Sequence, residues 1–110
     1  MVKKADGTVL VTFRELRDPA GLQRKLRADA IPATVTFLGQ LPRACRPYPA
    51  SYELLSRVFA ERHAGRHAVL AIHPSALPRG TGVEIGAPAQ RRVIWVAVGL
   101  VRANRQCTGS

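Results

Sequence analysis

The sequence predicts an α+β two-layer sandwich, a mixed sheet of four to five strands with two helices on one face, in the order β-α-β-α-β-β-β. Three observations carry it. Residues 8–13 and 33–38 are two alternating apolar runs of matched pattern, with one amphipathic helical stretch between them. A second helical stretch follows a Pro-rich loop, and the rest of the chain holds three strand-length runs punctuated by Gly and Pro. At 110 residues the chain is one small domain, 1–110, with residues 1–6 expected to be disordered or foreign to the native chain.

The first strand is residues 8–13, where Val9, Val11 and Phe13 share one face. Asp18-Pro19 then starts a helix, because Asp is a favoured N-cap and Pro fits the first helical position. Leu22, Leu26 and Ala30 form its apolar stripe, Arg24, Lys25 and Arg27 its basic side, and Pro32 stops it. Val35 and Phe37 then echo Val11 and Phe13, so the two strands and the helix read as a right-handed βαβ unit.

Residues 39–49 form a loop containing Pro42, Pro47 and Pro49. Ser51 caps a second helix expected to run to about His63, with Tyr52, Leu55 and Phe59 at helical spacing and Gly65 ending it. Residues 67–72 are mostly apolar and read as a central strand. The basic, Gly-rich residues 79–82 read as a turn into a brief strand at 83–85, with an anion nest of backbone N–H groups as the weaker reading. The last strand, 92–102, is apolar on both faces, with Val93, Trp95, Ala97 and Gly99 on one and Ile94, Val96, Val98 and Leu100 on the other.

The net charge of +10 and pI near 11.3 favour polyanionic partners: nucleic acid, an anionic membrane surface or an acidic cell-wall polymer. Arginine outnumbers lysine 14 to 3, in a chain also rich in Ala, Val, Leu, Gly and Pro, which is the skew a GC-rich genome produces. The candidate anion-binding residues are Arg17, Arg24, Lys25 and Arg27 around the first helix and Arg43 and Arg46 in the Pro-rich loop. A solvated helix face explains the first group equally well. Aromatic stacking partners for nucleic acid are few, since Phe13, Phe37, Phe59 and Trp95 fall at expected core positions and only Tyr48 and Tyr52 lie near exposed arginines.

Cys45 and Cys107 are the only cysteines, and both sit in irregular, polar segments. A free cysteine is usually buried as a small hydrophobe, so this placement points to a disulfide and an oxidising compartment. Closing a loop of that length contributes about 4 kcal/mol in the chain-entropy picture. No stretch approaches the roughly 20 apolar residues of a membrane span. The N-terminus begins with charge and no apolar core follows, so it is not a signal peptide. The expectation is a piece of a longer, anchored chain.

Residues 7–22 (GTVLVTFRELRDPAGL), 31–35 (IPATV), 72–78 (IHPSALP) and 98–101 (VGLV) ahead of Cys107 resemble the C-terminal extracytoplasmic domains of uncharacterised actinobacterial membrane-anchored proteins. The resemblance implies an extracytoplasmic domain with a cysteine pair and no assigned activity. It carries over no functional residue, and the anchor it implies lies upstream of these residues.

Catalytic and metal motifs are weak. His63, His67 and His73 crowd together, and with the two cysteines they can be written as a zinc set, but zinc cysteines come as close pairs. A nucleophilic Cys45 with a histidine and Glu61 has Arg43 and Arg46 to lower a thiol pKa and no flanking motif. Ser56 and Ser75 have no partnering motif, and residues 79–82 lack the phosphate-loop pattern. The function expected is therefore a non-catalytic extracytoplasmic binding domain stapled by Cys45–Cys107, with no metal or cofactor. Its partner would be a protein or an anionic cell-surface component; a basic nucleic-acid-binding domain is the alternative.

Overall fold

The structure, a computed structural model, describes residues 1–64 and 67–109. Its strands are β1 (Val2–Lys3), β2 (Val9–Thr12), β3 (Ala33–Phe37), β4 (Pro47–Tyr48), β5 (Phe59–Ala64), β6 (His67–Ile72), β7 (Thr81–Ala87) and β8 (Ala97–Arg102). Its helices are α1 (Pro19–Ala28), α2 (Tyr52–Val58) and the short α3 (Arg105–Thr108), with 3-10 turns at Phe13–Arg17 and Pro74–Ala76. The class is the expected α+β sandwich.

The strands divide into two four-stranded sheets. The first, ordered β1-β2-β6-β5, is antiparallel throughout. The second, ordered β3-β7-β8-β4, is mixed, with β3 parallel to β7 and the other pairs antiparallel. The echoing strands β2 and β3 therefore lie in different sheets and do not make the expected βαβ unit. One core joins the two sheets: Val9, Val11, Leu70 and Ile72 from the first meet Ala33, Val35, Val83, Ile85 and Leu100 from the second. Leu22 and Leu26 of α1 complete it. Each such buried aliphatic side chain stabilises the fold by about 1.5–3 kcal/mol relative to exposure.

Helix α1 starts where the sequence says, with the Asp18 carboxylate accepting from the Gly21 N–H at 3.1 Å and Pro19 in the first turn. It ends two residues early. Ala30 takes φ +60°, the Ile31 N–H reaches the Leu26 carbonyl at 3.0 Å and the Ala30 N–H reaches Arg27 at 3.0 Å, which is a Schellman closure. Ala30 is thus exposed rather than part of the apolar stripe.

Residues 59–64, expected as helix, form β5, which pairs in full register with β6 from Phe59↔Ile72 to Ala64↔His67. The hairpin pairs six residues of β5 with β6 and leaves β6 paired on both edges, central as expected, and this tertiary gain overrides the helical spacing. Tyr52, one of the two tyrosines set apart from the expected core aromatics, is 84% exposed. The expected helix stop at Gly65 lies outside the described residues. Strand β7 is longer than expected, with Gly80 at φ +75° making the turn before it. Gly82 lies inside β7, where a Cβ would stand 2.8 Å from the Pro32 carbonyl and 2.9 Å from the Thr108 Cγ2.

Strand β8 is shorter than expected. Gly86 pairs with Ala97, so the ladder could continue only against Ala87 and Pro88, and proline has no N–H to donate. Residues 88–96 leave the sheet, Val93 stays buried, and Trp95 is 43% exposed rather than in the core. Within residues 1–6, expected to be disordered or foreign to the native chain, Val2–Lys3 form β1, and the polar tail contains α3, with Asn104 accepting from the Cys107 N–H at 2.8 Å.

Candidate functional site

Cys45 and Cys107 are joined in a disulfide with a Cα–Cα distance of 4.9 Å. The pair is 7% and 1% exposed, in a small cluster of its own with Val101 and Leu41. Its surroundings are tied by the Arg102 N–H donating to Arg46 at 2.9 Å and the Asn104 amide donating to Ala44 at 3.1 Å. Both sulfurs are bonded to each other, so neither acts as a thiolate ligand or nucleophile. The bridge staples the segment before β4 to the helix after β8.

Chemistry-bearing side chains converge instead at a cleft of about 510 Å³ that draws on three separate parts of the chain. The 3-10 turn supplies the first wall. Side chains three apart eclipse in such a turn, so Phe13 and Leu16 are buried together while Arg14 and Arg17 face out together. The ends of β5 and β6 bring His63 and His67, and the segment after β7 brings Arg91 and Arg92. Phe13, Ala68, Val93 and Ile94 supply the apolar part of the lining.

No carboxylate among the described residues lines this cleft. Among the described residues, none of its four arginines is in an ion pair; His63 Nε2 lies 3.9 Å from Glu61 Oε1. Four arginines lining one concavity favour a positive potential there, focused by the protein around it. Guanidinium matches carboxylate and phosphate geometry through paired N–H donors.

Behind the first wall, Glu15 organises the turn. Its Oε1 accepts from the N-terminal ammonium at 2.7 Å, from the Thr12 N–H at 3.1 Å and from the Thr12 hydroxyl at 3.2 Å, while Lys25 Nζ stands 3.7 Å from Oε2. Burial pushes the Glu15 carboxyl up. The hydrogen bonds from the ammonium and Thr12, with the ammonium's charge, outweigh burial and hold it below the usual carboxylate value.

Of the anion-binding candidates read from sequence, only Arg17 lies in the cleft. Arg24, Arg43 and Arg46 are exposed elsewhere, and Lys25 faces Glu15. Arg27 is an internal strut: its Nε donates to the Ala33 carbonyl at 3.0 Å and its Nη2 to the Cys107 carbonyl at 2.7 Å. His73 is separated from the other two histidines and contacts the Thr8 hydroxyl at 3.1 Å. Among the described residues, no group of three or more His, Cys, Asp or Glu side chains is placed to hold a metal ion. Ser56 donates to the Tyr52 carbonyl at 2.8 Å, and Tyr48 lies under the Arg102 guanidinium at 5.6 Å.

Sequence reasoning missed Arg14, Arg91 and Arg92. The signal for the first was the Phe13-x2-Leu16 and Arg14-x2-Arg17 interleaving, an i, i+3 pattern over five residues that is too short to read as a helix of its own. Arg92 reads as the first residue of the expected last strand and Arg91 as the residue just before it, so neither stands out as a site residue. Among the described residues, no helix is long and apolar enough to cross a membrane. No family model, no curated protein and no solved structure matches the chain.

Proposed function

We propose that this chain is a non-catalytic extracytoplasmic binding domain that holds an anionic partner in the cleft between Arg14, Arg17, Arg91 and Arg92. The observation that carries this is that four arginines line one concavity, and among the described residues none of them is in an ion pair and no carboxylate joins the lining. Such a lining repels itself until an anion arrives, so it favours ligand occupancy over the empty state. The buried disulfide supports an oxidising compartment, in line with the extracytoplasmic domains of membrane-anchored proteins that the sequence resembles.

The competing reading is a basic nucleic-acid binder, which would use the same arginines. The test is calorimetric titration with inorganic pyrophosphate and with a 20-mer DNA duplex at ~150 mM salt, on the native protein and on Arg91→Gln/Arg92→Gln. Pyrophosphate binding that the double variant loses supports the proposal. Equal binding by both proteins overturns it, and duplex binding that persists at this salt while pyrophosphate fails favours nucleic acid.

A further inference from the structure

The segment that supplies Arg91 and Arg92 also carries the two most conspicuous apolar side chains near the cleft. Ile94 is 63% exposed and lines it, and Trp95, next in the chain and 43% exposed, is the sole tryptophan. Residues 88–96 leave the sheet at Pro88 and are pinned by buried Val93, so the exposed pair is carried on an anchored base. Another exposed apolar side chain lies against the second sheet. Leu38, 49% exposed, lies over Gly86, with Ala97 beside it at the start of β8.

Resting on the anion-binding reading, we infer that the cleft and this apolar edge together dock on a phospholipid surface rich in anionic headgroups. The arginines pair with headgroup phosphates while Ile94 and Trp95 enter the boundary between headgroups and acyl chains. Charge complementarity and side-chain type both point there. A cationic, carboxylate-free concavity attracts an anionic surface, and an amphipathic indole is favoured at the membrane interface. A free small anion has no use for exposed isoleucine and leucine. Nucleic acid would use the indole for stacking but gains nothing from its aliphatic neighbours. A membrane interface uses all of them at once, through buried apolar area and attraction to anionic lipid.

The test uses the full chain with vesicles of phosphatidylglycerol and phosphatidylcholine, and of phosphatidylcholine alone, at ~150 mM salt. Binding is followed by co-sedimentation and by Trp95 emission. The expected result is binding to the anionic vesicles only, with a blue shift and quenching by brominated acyl chains. Arg91→Gln/Arg92→Gln weakens vesicle binding about 30-fold, from the loss of two surface cations. Trp95→Ser weakens sedimentation with vesicles about tenfold, through lost apolar burial, and leaves pyrophosphate binding unchanged. Pyrophosphate binding without vesicle binding overturns the membrane inference and leaves the anion site standing; failure of both overturns both. Vesicle binding with no emission shift, or unaffected by Trp95→Ser, also overturns it, because plain charge adsorption then suffices. Stable duplex binding without vesicle binding assigns the cleft to nucleic acid and overturns it likewise.

Discussion

The Arg27 guanidinium donates to the carbonyl of Cys107 at 2.7 Å, linking helix α1 directly to the residue that forms half of the disulfide. With its Nε on the Ala33 carbonyl, one side chain ties α1, the start of β3 and the C-terminal end of α3. A cation at that end of α3 also suits the negative end of the helix dipole. Hydrogen bonds to charged groups contribute more than neutral ones, so Arg27→Ala should cost about 2 kcal/mol. Arg27→Lys keeps the charge without the two-pronged geometry and should recover less than half. Thermal unfolding, at roughly 4 °C per kcal/mol for a chain of this size, reads both. No change in Arg27→Ala would mean the strut is ornamental.

The Cys45–Cys107 bridge is buried, so a thiolate must wait for local opening before it can attack. Denatured, unreduced protein should show no free thiol, and native protein should resist mild reductant far longer than denatured protein does. The Cys45→Ala/Cys107→Ala pair should lose about 3 kcal/mol in denaturant unfolding. Two titratable thiols in the purified native protein would remove the argument for an oxidising compartment.

Ala30 sits at φ +60°, where a side chain is strained and glycine is not. Its Schellman closure should therefore accept Ala30→Gly with a gain of roughly 0.5–1 kcal/mol. A loss of stability in urea unfolding would show that the strain is relieved in some other way.

Two glutamates give opposite pH signatures. The Glu15 carboxyl is held below its ordinary value, so its contribution is complete above the unfolded-state pKa and is lost as pH falls through the folded one. Glu84 is raised by burial in β7, so its contribution is complete below the unfolded value and is lost as pH rises through the folded one. Stability measured from pH 3 to pH 7 should accordingly show Glu15→Gln weakest against the native protein at neutral pH. Glu84→Gln should be at least as stable as the native protein there.

Local chemistry was legible where it acts alone. Asp18-Pro19 set the start of α1 because a cap needs only its own turn, and the polar settings of Cys45 and Cys107 revealed their pairing. What required knowledge of a distant partner was not legible. Phe59 follows Tyr52 and Leu55 at helical spacing, yet pairing with Ile72 decides its conformation. Trp95 alternates as a strand residue should, and only the opposing Pro88 shows that the ladder cannot reach it. The cleft is the extreme case, since Arg14 and Arg92, 78 positions apart, come to line one cavity only in the folded chain.

The division of strands between two sheets imposes an order of assembly. All four strands of the first sheet have been made once the chain reaches Ile72, whereas β3 has no partner until Thr81–Ala87 follows, and β4 none until Ala97–Arg102. A chain emerging from its N-terminus can therefore complete β1-β2-β6-β5 while β3 and β4 wait as open edges, and parallel pairing across such a distance is slow. Pulse-labelled hydrogen exchange during refolding should protect Val11 and Leu70 before Val35. Simultaneous protection would mean that the shared core closes both sheets in one step.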